Sequence, residues 1–478
     1  MIKIQEWLTS IINISLKILF FILIIGTFLA SIFFLSGSGI LNICFFMFFL
    51  ISGVGLRVLM KKKISADKLI TIIVIYGFFI RMLWALSINS IPASDFEVMY
   101  NQSTAVLRGE YYIFKGTTYF ARFPHLTITV LYFAFIRNFF SQPLVVLKII
   151  NVISSTSVIF LCYLIAKEVF NSKTKAIWTG FIAAIYPPVI IYSAVYCSEN
   201  IAIPFYLLSV YIFILTIKNK KNRRFLLLSA VSLSIGNLFR MVAPVMLIAF
   251  IMYTLIYTRQ HIKSKVISSV YLASGFLIPL LIVSNLLLSM GITEFQLWKG
   301  SESPWTSILK GTNLSTYGRF NSEDAVIVDK YNYDYYKVEN ACKEIVKERL
   351  TTTPVYKLAA FFVIKYAIQW AEGDCGGILW ANKDLGPQDM KVDLNTSAHF
   401  YVQLFYLTAV IFIYKGLFNK KQYLENPIIN LFYIIYCGYG LLYLITESQS
   451  RYSFIVSWLF IILPFTAFKD DRFFEEIN

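Results

Sequence analysis

The feature that most constrains this chain is a long series of apolar runs. Most reach about 18 residues or more, enough for a helix to cross the hydrocarbon core of a bilayer. Backbone amides inside lipid must be satisfied within the segment, and the runs lack the alternation of barrel strands, so helices are the workable structure. The sequence therefore predicts an all-α polytopic membrane protein. The runs cover residues 11–35, 40–60, 69–89, 126–140, 143–166, 175–196, 200–217, 225–238, 241–258, 266–290, 354–371, 399–417, 427–446 and 452–468.

The net charge of +16 is concentrated in short loops. That distribution is typical of the positive-inside rule and favours a membrane, not a nucleic acid, as the partner. Loop 291–352 holds nine acids and eight bases, so we place it outside. The predicted inner-face bases are Lys61 to Lys63, Lys167, Lys173, Lys175, Lys218, Lys220, Lys221, Arg223, Arg224, Arg259, Lys263, Lys265, Lys415, Lys420 and Lys421.

Two runs are poor candidates for crossings. Run 126–140 is short and contains Arg137, and run 354–371 carries Lys357 and Lys365, so we interpret both as re-entrant or surface helices. About 12 transmembrane helices then remain, with both termini cytoplasmic. The first run is preceded by few charges and followed by no small-residue cleavage site, which indicates a membrane span and not a removed signal peptide.

The same topology divides the chain into four parts. Residues 1–68 form an N-terminal two-helix addition, and residues 69–290 form a membrane core with an outer loop at 90–125. Residues 291–398 form an outer loop region with an interfacial helix, and residues 399–478 form the C-terminal transmembrane helices. The six cysteines show no metal-site spacing, and we expect buried small hydrophobes, with a Cys342–Cys375 disulfide as the alternative.

Polar residues that are rare elsewhere gather at the outer face in this topology. Asp95 and Glu97 follow Pro92 in loop 90–125, at the predicted start of a short helix that Ser94 or Asp95 caps. Glu199 follows a helix bent by Pro187 and Pro188 and would be costly at membrane depth without a partner or a function. Solvated acids in a loop and at a helix turn are the plain alternatives for these carboxylates.

Two arginines complete the predicted site. Arg240 lies where a short run meets the next helix, and Arg451 begins the last helix with Glu447 four residues before it as a predicted ion-pair partner. Guanidinium groups bind phosphate oxygens bidentately, so the two arginines are a candidate phosphate clamp. Snorkelling to the interface is the alternative for Arg240.

The remaining candidates have weaker signals. Arg122 and His125 precede the re-entrant helix and, with Tyr100, are candidates for contacting donor or acceptor, although His125 could equally cap or line the interface. No spacing argues for zinc. Asp95, Glu97 and Glu199 supply the hard oxygen ligands that suit Mg²⁺ or Mn²⁺, but the sequence does not show such a site.

Taken in chain order, these motifs resemble the GT-C superfamily of membrane glycosyltransferases. The shared order is an acid in the first outer loop, a Pro-rich start to a short helix, a second acid after Pro187-Pro188, an arginine at a broken helix, and a late Arg451-Tyr452. The chain is most similar to bacterial members related to protein O-mannosyltransferases and to the lipid A aminoarabinose transferase. The resemblance covers about residues 69–260, and 399–468 mainly by hydropathy.

The resemblance implies a multi-pass protein of the bacterial cell membrane that transfers a sugar from a polyprenyl-phosphate donor with inversion. Asp95 matches the catalytic first-loop acid, Glu199 the second acidic position, and Arg240 a basic position for the donor phosphate. The acceptor would be a glycan, a lipid or a protein. The chain departs from the family where Phe96 separates Asp95 from Glu97 and where His-Pro-Pro is reduced to Pro124-His125-Leu126, which leaves the metal and the acceptor open.

Two loops are predicted to cover the site and recognise the acceptor through aromatic side chains. Loop 291–352 carries Tyr331, Tyr333, Tyr335 and Tyr336, and loop 372–398 carries Trp380. Two other functions stay open at this point. A flippase or transporter of lipid-linked sugars should show internal repeats and charges near mid-membrane. An O-antigen-type polymerase or ligase would share the late outer loop but would not need the Asp95 loop.

Overall fold

The computed structural model describes residues 2–35, 40–62, 64–386, 388, 389, 399–419, 424 and 426–468. Several predicted features lie outside these residues: the bases Lys63, Lys420 and Lys421, the chain from 469 onward, and most of 387–398 in the second outer loop.

The regular structure of the described residues is helical throughout, which confirms the predicted all-α class. Five 3-10 turns separate or extend the α-helices, at Tyr111–Phe114, Pro124–Leu126, Tyr192–Ala194, Ser450–Val456 and Leu463–Ala467. In chain order the α-helices are α1 (Ile2–Leu35), α2 (Ile40–Lys61), α3 (Ala66–Ser87), α4 (Asp95–Leu107), α5 (Tyr119–Arg122), α6 (Thr127–Phe139), α7 (Pro143–Phe170), α8 (Lys173–Ile185), α9 (Pro187–Ile191), α10 (Glu199–Ile217), α11 (Phe225–Phe239), α12 (Pro244–Tyr257), α13 (Ile262–Ser289), α14 (Trp305–Gly311), α15 (Ser322–Ala325), α16 (Ile327–Lys330), α17 (Tyr335–Thr352), α18 (Val355–Trp370), α19 (Gly377–Asn382), α20 (His399–Gly416), α21 (Ile428–Ile445) and α22 (Leu459–Ile462).

Six helical segments in the described part of the chain are long and apolar enough to cross a bilayer. Three further pairs qualify together but are bent, which gives up to nine crossings by length and composition, so the predicted count of twelve is not confirmed. The six segments are Gln5–Leu35, Ala66–Ser87, Pro143–Phe170, Glu199–Ile217, Ile262–Ser289 and Ile428–Ile445, and the bent pairs are Tyr111–Arg122 with Pro124–Phe139, Lys173–Ile185 with Pro187–Ala194, and Ser450–Val456 with Leu459–Ala467.

The bends fall where the sequence contains prolines or polar breaks. The chain turns by 111° between α5 and α6 at Pro124, which agrees with the re-entrant geometry predicted for this segment. It turns by 48° between α8 and α9, where Pro187 and Pro188 begin the second helix. Both bends bring polar chain segments to the same end of the bundle, next to the amino terminus of α10.

The centre of the bundle is a set of closely packed helices. Helix α10 packs along α7 and α11, and α11 packs along α13. The approach of α10 and α11 requires glycine at Gly236, since a Cβ there would lie 2.6 Å from the Tyr206 ring. Helix α1 packs against α18, α20 and α21 and bonds across to the C-terminal part through Asn13, whose amide donates to the Leu417 carbonyl at 3.1 Å.

Helix α18 is more deeply packed than its two lysines indicated. Lys357 is exposed, but Lys365 is fully buried and donates to the carbonyls of Gly311, Leu444 and Thr446 at 2.6, 2.9 and 2.8 Å. From the sequence, Lys365 was interpreted as a sign of a re-entrant or surface helix. The burial of Lys365 shows that this lysine does not mark a surface position. An ammonium group can be buried without a carboxylate when three carbonyl oxygens satisfy its three donors.

Residues 291–352 form a separate small core. We call them the outer subdomain, after the side of the membrane predicted for them. Leu309 from α14 packs with Ile327, Val328, Val338 and Cys342 from the following helices. The buried carboxylate of Asp324 accepts from Arg349 at 2.7 Å and joins the two ends of the subdomain. All six cysteines are free, so the alternative Cys342–Cys375 disulfide is not formed.

Candidate active site

Glu199 is the first residue of α10 and is 1% exposed. The turn that leads into it is fixed by two amide side chains. Asn200 donates to the carbonyls of Tyr192 and Val195 at 2.8 and 3.0 Å, and Asn151 from α7 donates to the same Val195 carbonyl at 2.9 Å. Ser198-Glu199-Asn200 was predicted as the exit of the bent helix, but that helix ends at Ile191 and the 3-10 turn after it at Ala194, so Glu199 instead begins α10 with its carboxylate buried.

Arg240 follows the last residue of α11 and has an extended backbone. Its carbonyl accepts from the Tyr206 hydroxyl at 2.5 Å, which holds the break between α11 and α12 against α10. From there its Nε lies 3.5 Å from the Glu199 Oε1 atom. The guanidinium group also lies over the Tyr452 ring, 5.2 Å from the centroid.

Arg451 approaches Glu199 from the other side. Arg451 is the second residue of the 3-10 turn Ser450–Val456 and is 5% exposed. Its Nε lies 3.8 Å from Glu199 Oε1. Its guanidinium group lies against the neighbouring rings of Phe96 and Trp380, 4.8 and 4.7 Å from their centroids, which are themselves 5.3 Å apart. The predicted pairing with Glu447 is wrong, because that carboxylate binds Lys310 at 3.3 Å instead.

The three side chains form a buried cluster with two positive charges and one negative charge. Among the described residues, no hydrogen-bond partner exists for Arg240 Nε, for Arg451 Nε and Nη1, or for either Glu199 oxygen. Buried donors of this kind are costly unless something satisfies them. Both Nε groups face Glu199 at 3.5 and 3.8 Å, so the cluster, with one net positive charge, presents the Arg451 Nη1 donor to an anion with oxygen acceptors.

Asp95 is the first residue of α4, as predicted. Ser94 precedes it with φ +53°, a conformation that is strained for a residue with a side chain, and makes no capping hydrogen bond, so the predicted Ser94 cap is absent. The turn directs Asp95 towards Tyr119, whose hydroxyl donates to its Oδ1 at 3.0 Å. Asp95 also lies within electrostatic range of His125 and Tyr452.

His125 belongs to this cluster, because both Asp95 and Arg240 act on it electrostatically. Glu97 does not. It is exposed, two helical positions beyond Asp95 and so on a different face of α4. The described residues contain no group of three or more His, Cys, Asp or Glu side chains able to hold a metal ion, and the divalent-cation set of Asp95, Glu97 and Glu199 does not assemble.

Arg122 and Tyr100 have structural partners outside the cluster. Arg122 binds the 3%-exposed carboxylate of Glu302 in the outer subdomain at 2.8 Å. It also lies 5.6 Å from the Tyr333 ring centroid, so that one tyrosine of the predicted aromatic loop contacts the first outer loop. Arg137 lies over the Tyr100 ring at 4.6 Å and donates to the Tyr100 carbonyl at 2.6 Å, which packs α4 on α6.

The loop after α18 adds two buried acids that the sequence did not single out. Burial raises the pKa of Glu372, and the neighbouring Asp374 raises it further. Burial also opposes ionisation of Asp374, but the hydrogen bond and charge of His399 and the N–H groups of Ile378 and Gly376 outweigh it and hold the Asp374 pKa below its ordinary value. This loop passes beside the Arg451 backbone, close to Gly376.

Two further site residues escaped the sequence. Tyr119 gave no signal because its partner is 24 positions away. Phe96 appeared only as the residue between two acids, although its ring lies against the Arg451 guanidinium group. Trp380 was predicted to cover the site, and its contact with Arg451 agrees with that position.

The comparison with protein families matches this region. Residues 125–288 match the model of the dolichyl-phosphate-mannose-protein mannosyltransferase family. The matched segment is about a third of the chain, so over these residues the chain is similar to that family. It begins at His125 and includes Glu199 and Arg240, whereas Asp95 and Arg451 lie outside it.

Two other comparisons add little to the site. No curated protein matches the chain. Among solved structures, the chain is similar to the archaeal oligosaccharyltransferase AglB from Archaeoglobus fulgidus in complex with an inhibitory peptide and a dolichol-phosphate, with 14% identity and a TM-score of 0.48. The match covers 85% of this chain and 50% of AglB, so the chain spans about half the length of that protein.

Proposed function

We propose that the chain transfers a sugar from a polyprenyl-phosphate donor to an acceptor hydroxyl at the outer face of the bacterial cell membrane, with inversion at the anomeric carbon. The observation that carries the proposal is the buried Arg240–Glu199–Arg451 cluster with its unsatisfied guanidinium N–H groups. Polyprenyl-phosphate specificity is also in keeping with the family whose model matches residues 125–288.

The cluster suits a sugar phosphodiester. Such a donor carries one negative charge, which equals the net positive charge of two arginines and one glutamate. Charge grows on the phosphate as the sugar–phosphate bond breaks, and preorganised guanidinium donors stabilise that charge where water is excluded. Glu199 serves here to orient both arginines, and the aromatic rings of Phe96 and Trp380 fix the plane of Arg451.

Asp95 is the group we assign as general base. It removes the proton from the acceptor hydroxyl as the hydroxyl oxygen forms its bond to the anomeric carbon. The bond from that carbon to the phosphate oxygen breaks, and its electron pair leaves with the polyprenyl phosphate. Attack from the face opposite the leaving group inverts the carbon. Tyr119 holds the carboxylate in place through its 3.0 Å hydrogen bond.

Among the described residues, no group of three or more His, Cys, Asp or Glu side chains is placed to hold a metal ion, and the steps above are assigned to protein side chains. Glu97 is exposed and Glu199 is already shared between two arginines. The acceptor, a glycan, a lipid or a protein, would enter between the first outer loop and the loop that carries Trp380. An aromatic ring at that entrance suits the face of a sugar.

The test is sugar transfer by the purified full chain from a polyprenyl-phosphate sugar, measured as release of polyprenyl phosphate. We expect Asp95→Asn to lower the rate about 100-fold or more, the usual contribution of a general base. Glu97→Gln is the matched control, since it removes an exposed carboxylate two residues away and should leave the rate unchanged. A normal rate in Asp95→Asn would overturn the assignment.

A further inference from the structure

A second polar cavity lies at the opposite end of the α10–α11 pair from Glu199 and Arg240. It has a volume of about 440 Å³ and is lined by the loop between these helices together with Gln260 and Ser268. Helix α10 has 19 residues and is therefore about 27 Å long, close to the thickness of a bilayer's hydrocarbon core. The cavity is thus at the other membrane surface, where the basic loops are predicted to lie.

The residues that line the cavity include three bases and no acid. One of these bases, Lys220, binds Glu168 at 2.7 Å, a carboxylate outside the lining that also binds Lys218 at 3.3 Å. Lys221 and Arg223 also line the cavity and form no salt bridge within the described chain. Two cationic side chains therefore face the cavity without a carboxylate.

The loop that presents these charges is held in a fixed shape. The backbone N–H groups of Lys220 and Lys221 both donate to the Leu215 carbonyl, which folds the loop back over the end of α10. Asn219 makes this turn with φ +57°, in the left-handed region that asparagine tolerates. The backbone that carries the cationic side chains is therefore fixed, while Lys221 itself is exposed and its Nζ lies 5.3 Å from the Phe225 ring centroid.

Apolar side chains continue from the cavity along the lipid-facing surface. Phe225 and Leu228 of α11 are 37% and 50% exposed, and Val266 and Val270 of α13 are 50% and 56% exposed. A ligand with a charged headgroup and acyl chains would contact both the cationic cavity and these apolar side chains. Free phosphate would contact the cationic cavity alone.

We propose that this cavity binds a phosphate group, and that the ligand is the headgroup of an anionic phospholipid in the inner leaflet. Lys221 and Arg223 bind the phosphate oxygens, the amide side chains of Asn222 and Gln260 border the headgroup, and the acyl chains lie along α11 and α13. Basic cavities between membrane helices at the cytoplasmic surface favour such headgroups electrostatically. The site is independent of the proposed glycosyl transfer.

The test uses the purified full chain in nanodiscs of phosphatidylcholine alone or with phosphatidylglycerol, and native mass spectrometry of the lipids that stay bound. We expect the wild type to retain phosphatidylglycerol over phosphatidylcholine, and Lys221→Gln with Arg223→Gln to lower that preference about tenfold. The matched control is Arg57→Gln with Lys61→Gln, which removes the same two charge types from exposed positions at the end of α2. It should keep the wild-type preference.

The outcomes separate the ligand sources. An equal loss in the cavity variant and the control would show general charge attraction and overturn the site, as would no lipid preference in the wild type. A second arm adds inorganic phosphate to lipid-depleted protein in detergent and follows thermal unfolding. Stabilisation that Lys221→Gln with Arg223→Gln abolishes, without any phosphatidylglycerol preference in nanodiscs, would overturn the lipid assignment in favour of free phosphate.

Discussion

At the scale of single residues, the site depends on how each charged group is held. Asp95 lies after a strained Ser94 and is restrained by one neutral donor, the Tyr119 hydroxyl. Arg451 is restrained by two aromatic faces and one carboxylate. The group proposed to accept a proton thus has a light restraint, whereas the group proposed to bind the donor phosphate has a heavy one.

Tyr119→Phe tests the restraint on Asp95. The change removes one hydrogen bond to a carboxylate, so we expect the transfer rate to fall about tenfold, less than in Asp95→Asn. Steady-state transfer rates of both variants and the wild type check this expectation.

Tyr112→Phe is the control for this variant, because Tyr112 lies in the same loop and is 63% exposed. It should transfer sugar at the wild-type rate. A Tyr119→Phe protein with the wild-type rate would mean that the tyrosine only packs against its neighbours and does not position Asp95.

At the scale of elements, the helix ends deliver the charges to one place. Helix α10 begins at Glu199, α11 ends before Arg240, and α4 begins at Asp95. Arg451 lies in a 3-10 turn and not in a long helix, so its position depends on contacts with neighbouring segments. Lys365 supplies one tie, since its ammonium group binds the carbonyls of Leu444 and Thr446 at the end of α21 and of Gly311 at the end of α14.

Lys365→Met should therefore loosen the chain that leads to Arg451. The change leaves three carbonyls without their donor, at a cost of about 1–3 kcal/mol for each group that stays buried and unsatisfied. We expect a lower unfolding temperature in detergent and a higher KM for the lipid-linked donor. Lys357→Met is the control on the same helix, because Lys357 is exposed, and both values should stay at wild-type level. Equal behaviour of the two variants would remove Lys365 from this role.

At the scale of the whole molecule, the sequence predicted the all-α class, the starts of α4 and α10, and the gathering of Asp95, Glu199, Arg240 and Arg451 at one end. These predictions depend on hydropathy and on the positions of prolines, which can be read from neighbouring residues in the chain. The contacts that these residues make in the folded protein could not be predicted in the same way. The Tyr119, Trp380 and Lys365 contacts join positions far apart in the chain, and no local period encodes them.

The outer subdomain connects the two halves of the site. It binds the Asp95 side through Arg122–Glu302 and through the Ser301 N–H, which donates to the Ala121 carbonyl at 2.9 Å. Gly300 makes this contact feasible, because a Cβ there would lie 2.1 Å from the Arg122 carbonyl oxygen. It binds the Arg451 side through Lys310–Glu447 and through the Gly318 carbonyl, which accepts from the Ser448 N–H.

Glu302→Gln tests whether this connection matters for catalysis. Arg122 is the last residue of α5 and Tyr119 the first, so weakening the Arg122–Glu302 bond should shift Tyr119 away from Asp95. We expect a roughly tenfold lower kcat, since charge-assisted bonds of this partly buried kind contribute about 1.5–3 kcal/mol. Glu302→Asp, which keeps the charge, should recover part of the rate.

Limited proteolysis should cut the outer subdomain faster in Glu302→Gln than in Glu323→Gln, which alters an exposed acid of the same subdomain. If kcat and the cleavage pattern of Glu302→Gln both match those of Glu323→Gln, the subdomain does not couple the two halves, and each half is positioned by the membrane helices alone.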